Sequence, residues 1–233
     1  MTTLKLGTIT LGKYILSIIM CFLIFFSFAA IFTMTSAEVV GYSAVIVETE
    51  ETYTHLYSDG TDTKKAEAEA QGYTVNTVEN RELGEDVLVA SHIISQIISL
   101  VLFVALLAKT PNTQGRSDRN AVNCGRMKQN LLRGFIAGLF PAGISFIAWI
   151  CLLLEKFGVF AGGVSVYRYV NYAFFGYQTL IFGGTTKVVA PSLGIAEILL
   201  ALVPTAVILI VCSIAYVLGY KDISLYEKAV YKK

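Results

Sequence analysis

Apolar runs long enough to cross a lipid bilayer as helices alternate with polar stretches along this chain. A hydrocarbon core of about 30 Å takes roughly 20 helical residues at ~1.5 Å rise each, because every backbone N–H and C=O in lipid must be paired. Four segments reach that length. Tyr14 to Ser36 and Gly134 to Leu154 hold no charge, Leu88 to Ala108 holds only His92, and Pro191 to Leu218 holds only Glu197. The last is longer than one crossing needs, which puts Glu197 near the outer boundary and not at the midplane. Lys5 and Lys13 before the first run, and Thr35-Ser36-Ala37 after it, also fit a cleavable signal peptide. The apolar run exceeds the about 7–15 residues of such a segment, so an uncleaved anchor is expected.

Between the first two runs, residues 37–87 alternate differently. Tyr42 to Val47, Thr52 to Tyr57 and Tyr73 to Val78 are β-branched and aromatic, Ser58-Asp-Gly-Thr61 is a turn signal, and Asp62 or Thr63 caps a short helix that Gly72 stops. The pattern predicts a small β–α–β element. Between the last two runs, Val164 to Phe182 is apolar and aromatic but carries Arg168, Asn171 and Gln178. A fifth crossing there would sink Arg168 into lipid at about 2.5–3.5 kcal/mol, so an amphipathic helix at the outer interface, or partly re-entrant, is expected, with a helix packed over the bundle as the alternative. Pro141 and Pro204 are expected to kink their spans. The fold class is therefore membrane α-helical. It is a four-span transmembrane helix bundle with an extracytoplasmic β–α–β element between spans 1 and 2 and an interfacial helix between spans 3 and 4.

Charge orients this arrangement. The 18 Lys and Arg against 17 Asp and Glu leave a net +1 that gives no case for nucleic-acid binding, yet the charges are segregated. Lys5 and Lys13, the loop 109–133 with its six basic residues, and Lys221, Lys228, Lys232 and Lys233 fall on one side of a four-span chain. The positive-inside rule makes that side cytoplasmic, termini included. The inner segments sum to about +9 and residues 37–87 to about −9. Pro111 to Gly115 reads as the exit turn of the inner loop and Asn120 to Gln129 as a surface helix, with anionic lipid headgroups as its partner.

The organisation that follows is a tail and first span (1–36), an acidic outer domain (37–87), spans 2 and 3 with the basic loop (88–154), an outer interfacial region (155–190), and a last span with a basic tail (191–233). Four spans around a β-containing first loop are similar in topology to claudin-type tetraspans. The first-loop Trp and Cys signature of that family is absent, the only Trp being Trp149.

Candidate chemistry is sparse. Cys21, Cys151 and Cys212 lie in spans and Cys124 in the inner loop, so the outer domain has no disulfide framework and no pair has zinc or redox spacing. Acylation is the sharper reading of Cys124 and an ordinary free thiol the plainer one. Two histidines and no nucleophile, metalloprotease or phosphate-loop motif argue against an enzyme and name no catalytic, cofactor or metal residue. Carboxylates at Asp59, Asp62, Glu67 and Glu69 invite calcium but match no calcium loop, and read as solvated surface. Two intramembrane patterns remain. His92, Ser95, Gln96 and Ser99 share one helix face, and with Arg168 and Glu197 they form a candidate polar vestibule at the outer leaflet, against interhelical hydrogen bonding as the plainer reading. Gly134, Gly138, Ala142 and Ser145 form a small-residue packing face, for helices of this chain or of a second copy.

The expected protein is a multi-pass plasma-membrane protein, non-enzymatic, presenting an acidic outer domain to a partner or complex. The alternative is a small-solute or proton permeation component.

Overall fold

The computed structural model describes residues 2–46, 52–56, 67, 69–82, 84–182 and 190–222. The expected turn at Ser58 to Thr61, the cap at Asp62 or Thr63, carboxylate Asp59 and the tail lysines Lys228, Lys232 and Lys233 lie outside them. Helix α1 (Thr3–Ser36) is followed by strands β1 (Glu38–Ile46), β2 (Thr52–Leu56) and β3 (Val75–Glu82). Then come α2 (Glu85–Asn123), α3 (Arg133–Lys156), α4 (Gly163–Val170), α5 (Phe175–Phe182), α6 (Ile195–Leu200) and α7 (Val203–Tyr220). Helices α1, α2 and α3 and the stretch Ile195–Tyr220 are long and apolar enough to cross a membrane, as in a multi-pass membrane protein.

The chain divides into two compact units, Phe26–Ile94 and Met1–Phe25 with Ser95–Lys233. In the first, β1 is the centre of a three-stranded sheet of order β2-β1-β3, antiparallel on both sides. Gly41 lies opposite Leu56 and Val45 opposite Thr52; on the other side Ser43 lies opposite Val78, with an irregularity between Val39 and Gly41. The expected β–α–β element is therefore corrected. The helical residues lie in the connection from β2 to β3, yet β3 pairs antiparallel with β1 and not with β2, so they join no pair of parallel strands. Between β2 and β3, Glu69 and Ala70 are helical and Gly72 takes φ +85°, a conformation that costs a residue with a Cβ.

In the second unit α3 packs antiparallel along α7, and small residues set the approach. Gly134 lies against Tyr216 and Gly138 against Cys212, Ala142 shares a buried cluster with Ile208, and Ser145 Oγ is 2.8 Å from Thr205 Oγ1. The small face read from the sequence is thus buried within the chain.

The expected inner loop is largely helix. α2 continues through Lys109 and Pro111 to Asn123, so neither the exit turn at Pro111 nor a separate helix from Asn120 forms. Packing against α7 explains the continuation. Asn112 Nδ2 donates to Ala215 O at 3.1 Å, and a Cβ at Gly115 would strike the backbone at Tyr216, one at Gly219 the backbone at Asn112. Backbone cannot swing aside as a side chain can. Gly219→Ala is therefore expected to cost about 1–3 kcal/mol or more by forcing the helices apart, against a much smaller effect for Gly143→Ala, where a Cβ meets nothing. Unfolding midpoints of the two variants in one detergent compare them directly.

Residues 163–182 do not form one helix. They make a hairpin of α4 and α5 joined by a 3₁₀ turn at Tyr172–Phe174. Val164 and Phe182 share a buried cluster and the Tyr167 and Phe182 rings are 5.8 Å apart, so the start of α4 and the end of α5 are level. Asn171 at the turn meets Ser145, midway along the 24 residues of α3. Polar Asn171 and Gln178 are 1% and 0% exposed, whereas Tyr169 and Leu180 are 63% and 83% exposed. A face that would point to water in a soluble protein points inward here. Pro204 stands at the start of α7, after the helix breaks at Ala201 and Leu202, while Pro141 lies inside an uninterrupted α3.

Candidate functional site

The break between α4 and α5 strips hydrogen bonds from backbone groups that lipid cannot satisfy, so such a break persists only where protein or a cavity supplies partners. Side chains of α1 and α2 supply them directly, and α3 holds the Asn171 side chain that bonds one more. Tyr14 of α1 donates its hydroxyl to Val170 O at 2.9 Å. Gln96 of α2 spans the break, Nε2 donating to Ala173 O at 2.7 Å and Oε1 accepting from Gly176 N at 2.5 Å. Ser145 of α3 donates to Asn171 Oδ1 at 2.7 Å, while Asn171 Nδ2 donates to Tyr167 O at 3.2 Å. Within the hairpin, Gln178 Nε2 donates to Asn171 O at 2.6 Å. Phe103 and Phe174, with centroids 5.3 Å apart, pack edge to face at the turn.

The ends of the hairpin are held as well. Val164 N donates to Glu155 Oε2 at 2.7 Å, Lys156 Nζ donates to Leu193 O, and Trp149 Nε1 donates to Ile198 O at 2.8 Å. Tyr167 donates its hydroxyl to Ala201 O at 2.7 Å. Burial, reinforced by the nearby phenols of Tyr177 and Tyr14, pushes its pKa up, so it remains a donor across the physiological range.

A second polar cluster closes the opposite end of this unit. Asp118 of α2 accepts from Arg133 NH1, Gln114 Nε2 and Tyr216 OH, each at 2.6 Å. Arg133 Nε also donates to Thr3 Oγ1 at 3.3 Å, so one ion pair ties α1, α2, α3 and α7 together. The Arg133 and Asp118 side chains are 10% and 4% exposed.

The residues singled out from the sequence are distributed as follows. Gln96 bonds the hairpin, and Ser99, fully buried, accepts from the Cys21 thiol through its main-chain oxygen at 3.5 Å. Ser95 is also buried. Arg168 places its guanidinium 5.7 Å from the Phe182 ring centroid, and Glu197 lies in the first turn of α6. His92 belongs to the other compact unit. Ser145 serves both the small packing face, through Thr205, and the polar cluster, through Asn171, whereas Gly134, Gly138 and Ala142 make only packing contacts. Cys21 and Cys212 are buried, Cys151 is half-buried and Cys124 is exposed. Among the described residues no cluster of His, Cys, Asp and Glu could hold a metal ion.

Sequence reasoning missed Tyr14, treated as the edge of a span, and Asp118, the single acid among the six basic residues of 109–133. That isolation was itself a signal: one carboxylate in a basic segment, four residues after a Gln, is placed for an internal pair. Compared with family models, curated proteins and solved structures, the chain finds no match.

Proposed function

We propose that this chain is a non-enzymatic interaction subunit of the plasma membrane. A four-span bundle with both termini cytoplasmic anchors an acidic outer domain, 37–87, that engages a partner or a larger complex. The basic end, with Lys109, Arg126 and Lys128 exposed, faces anionic headgroups on the inner leaflet. One observation carries the anchoring role: two polar clusters inside the helices bond the chain to itself. Gln96 closes both sides of the hairpin break, and Arg133 and Asp118 neutralise each other. Such an interior fixes helices in place. The −9 segment then offers the surface for recognition, and charge of one sign favours a partner of the other.

Crosslinking in native membranes tests this reading. A discrete partner adduct from reporters within 37–87 is expected; monomeric protein with no adduct would contradict it.

A permeation component is the second reading, and two atoms favour it. Ser99 Oγ and Gln178 Oε1 are buried and without a hydrogen-bond partner among the described residues, and such groups often meet water or ions. Ion or proton flux through reconstituted vesicles above that of empty vesicles would support this reading, and its absence the anchor.

A further inference from the structure

Arg116 and Arg119 stand three residues apart on α2, hence on one face, beyond its apolar run. Both reach one carboxylate: Arg119 NH1 is 2.8 Å from Asp222 Oδ2, and Arg116 Nε is 3.9 Å from Asp222 Oδ1. Two guanidiniums converge on one carboxylate, and exposed Lys221 adjoins it. The carboxylate arrives by an unusual backbone. Asp222 follows the last turn of α7, bonded from its N–H to Gly219 O at 2.9 Å, and takes φ +62°, the only positive φ at a described residue other than glycine. That position after a helix is ordinarily glycine because a Cβ is strained there. With 62% of its side chain exposed, the pair is weak and open to exchange.

From this geometry we infer that the Arg116/Arg119 fork is a phosphate-recognising site for an anionic lipid headgroup, in which Asp222 is an internal placeholder. Planar guanidiniums present paired donors that match phosphate oxygens as well as carboxylate. A phosphodiester entering the fork supplies the anion Asp222 supplies now, and lets residue 222 leave its strained conformation. Lipid is preferred to a soluble phosphate because Asp222, which fills the fork, stands four residues after Leu218, which ends the apolar run of a stretch long and apolar enough to cross the membrane. The inference rests on the lipid-facing reading of the basic end.

The test is the unfolding midpoint of the full-length protein in detergent, titrated separately with short-chain phosphatidylglycerol, short-chain phosphatidylcholine and inorganic phosphate. Stabilisation by phosphatidylglycerol alone is expected. Asp222→Asn should raise its apparent affinity roughly two- to fivefold by removing the competing charge, and Arg116→Gln/Arg119→Gln should lower it by roughly tenfold or more. Asp222→Gly, which relieves the backbone and is expected to stay folded, should behave as Asp222→Asn does. If phosphatidylglycerol and phosphatidylcholine act alike on the unaltered protein, the lipid reading falls and the fork with it. If phosphatidylglycerol is preferred but the double Arg variant binds it as well as the parent, or Asp222→Asn binds it less well, only the fork is overturned. Stabilisation by inorganic phosphate equal to that by phosphatidylglycerol would identify a soluble anion and overturn the lipid assignment.

Discussion

Arg133→Ala is expected to destabilise the protein by about 3–5 kcal/mol, because it leaves Asp118 charged, buried and without its counter-ion. The Coulomb energy of the pair does not set this magnitude. Two ions taken out of water lose most of what they gain from each other, so the pair itself adds little net stability, whereas one stranded ion carries its desolvation cost uncompensated. Asp118 also accepts from Gln114 and Tyr216, which spreads its charge but supplies no positive charge. The signature is therefore a double-mutant cycle. Asp118→Leu/Arg133→Met should recover most of the loss of either single variant, as read from unfolding midpoints in detergent. Single variants within about 1 kcal/mol of the parent would mean that water reaches the pair, as at an exposed ion pair.

Gln96→Leu is the second large effect, at roughly 2–6 kcal/mol. Interhelical hydrogen bonds between side chains in membranes average only about 0.6 kcal/mol, because the unfolded state in the bilayer finds other partners. Gln96 differs in that both its atoms bond backbone groups freed by a broken helix, Ala173 O and Gly176 N. Each buried group left unsatisfied costs about 1–3 kcal/mol. Gln96→Glu keeps an acceptor for Gly176 N and loses the donor to Ala173 O, so it should fall between Leu and the parent. Equal losses for Leu and Glu would show that only the donor matters. Unchanged stability in both would mean that the hairpin does not depend on this side chain.

The spans were legible because length and apolarity alone decide them: no charge interrupts Tyr14 to Ser36 or Gly134 to Leu154, and α1 and α3 cover both. The small face at Gly134, Gly138 and Ala142 was legible for a similar reason, since spacing places it and close backbone approach demands it. The hairpin was harder. A helix broken at Asn171 leaves no strong breaker in the sequence, and its polar face reads as solvent-facing until the solvent is known to be lipid. The run of α2 past Pro111 was hidden for the opposite reason. Proline signals an end to a helix, and here contact with α7 through Asn112, Gly115 and Gly219 outweighs that signal. The β–α–β expectation failed on topology: alternation marks strands but does not set their direction or partner, and β3 returns antiparallel beside β1 although the connection before it is long enough for a crossover. For the site, Gln96 was singled out on α2, whereas Tyr14, Asn171 and Asp118 matter through long-range partners that no local spacing encodes.

On the function proposed, a helical anchor bonded within itself presents residues 37–87 for recognition. Photo-reactive reporters placed singly through 37–87, and at exposed Lys128 as a control, in native membranes test it most directly. One discrete partner adduct is expected, formed from several positions within 37–87, weakened by high salt and absent from Lys128. No adduct from any position, with monomeric protein that conducts ions or protons in vesicles, would contradict it.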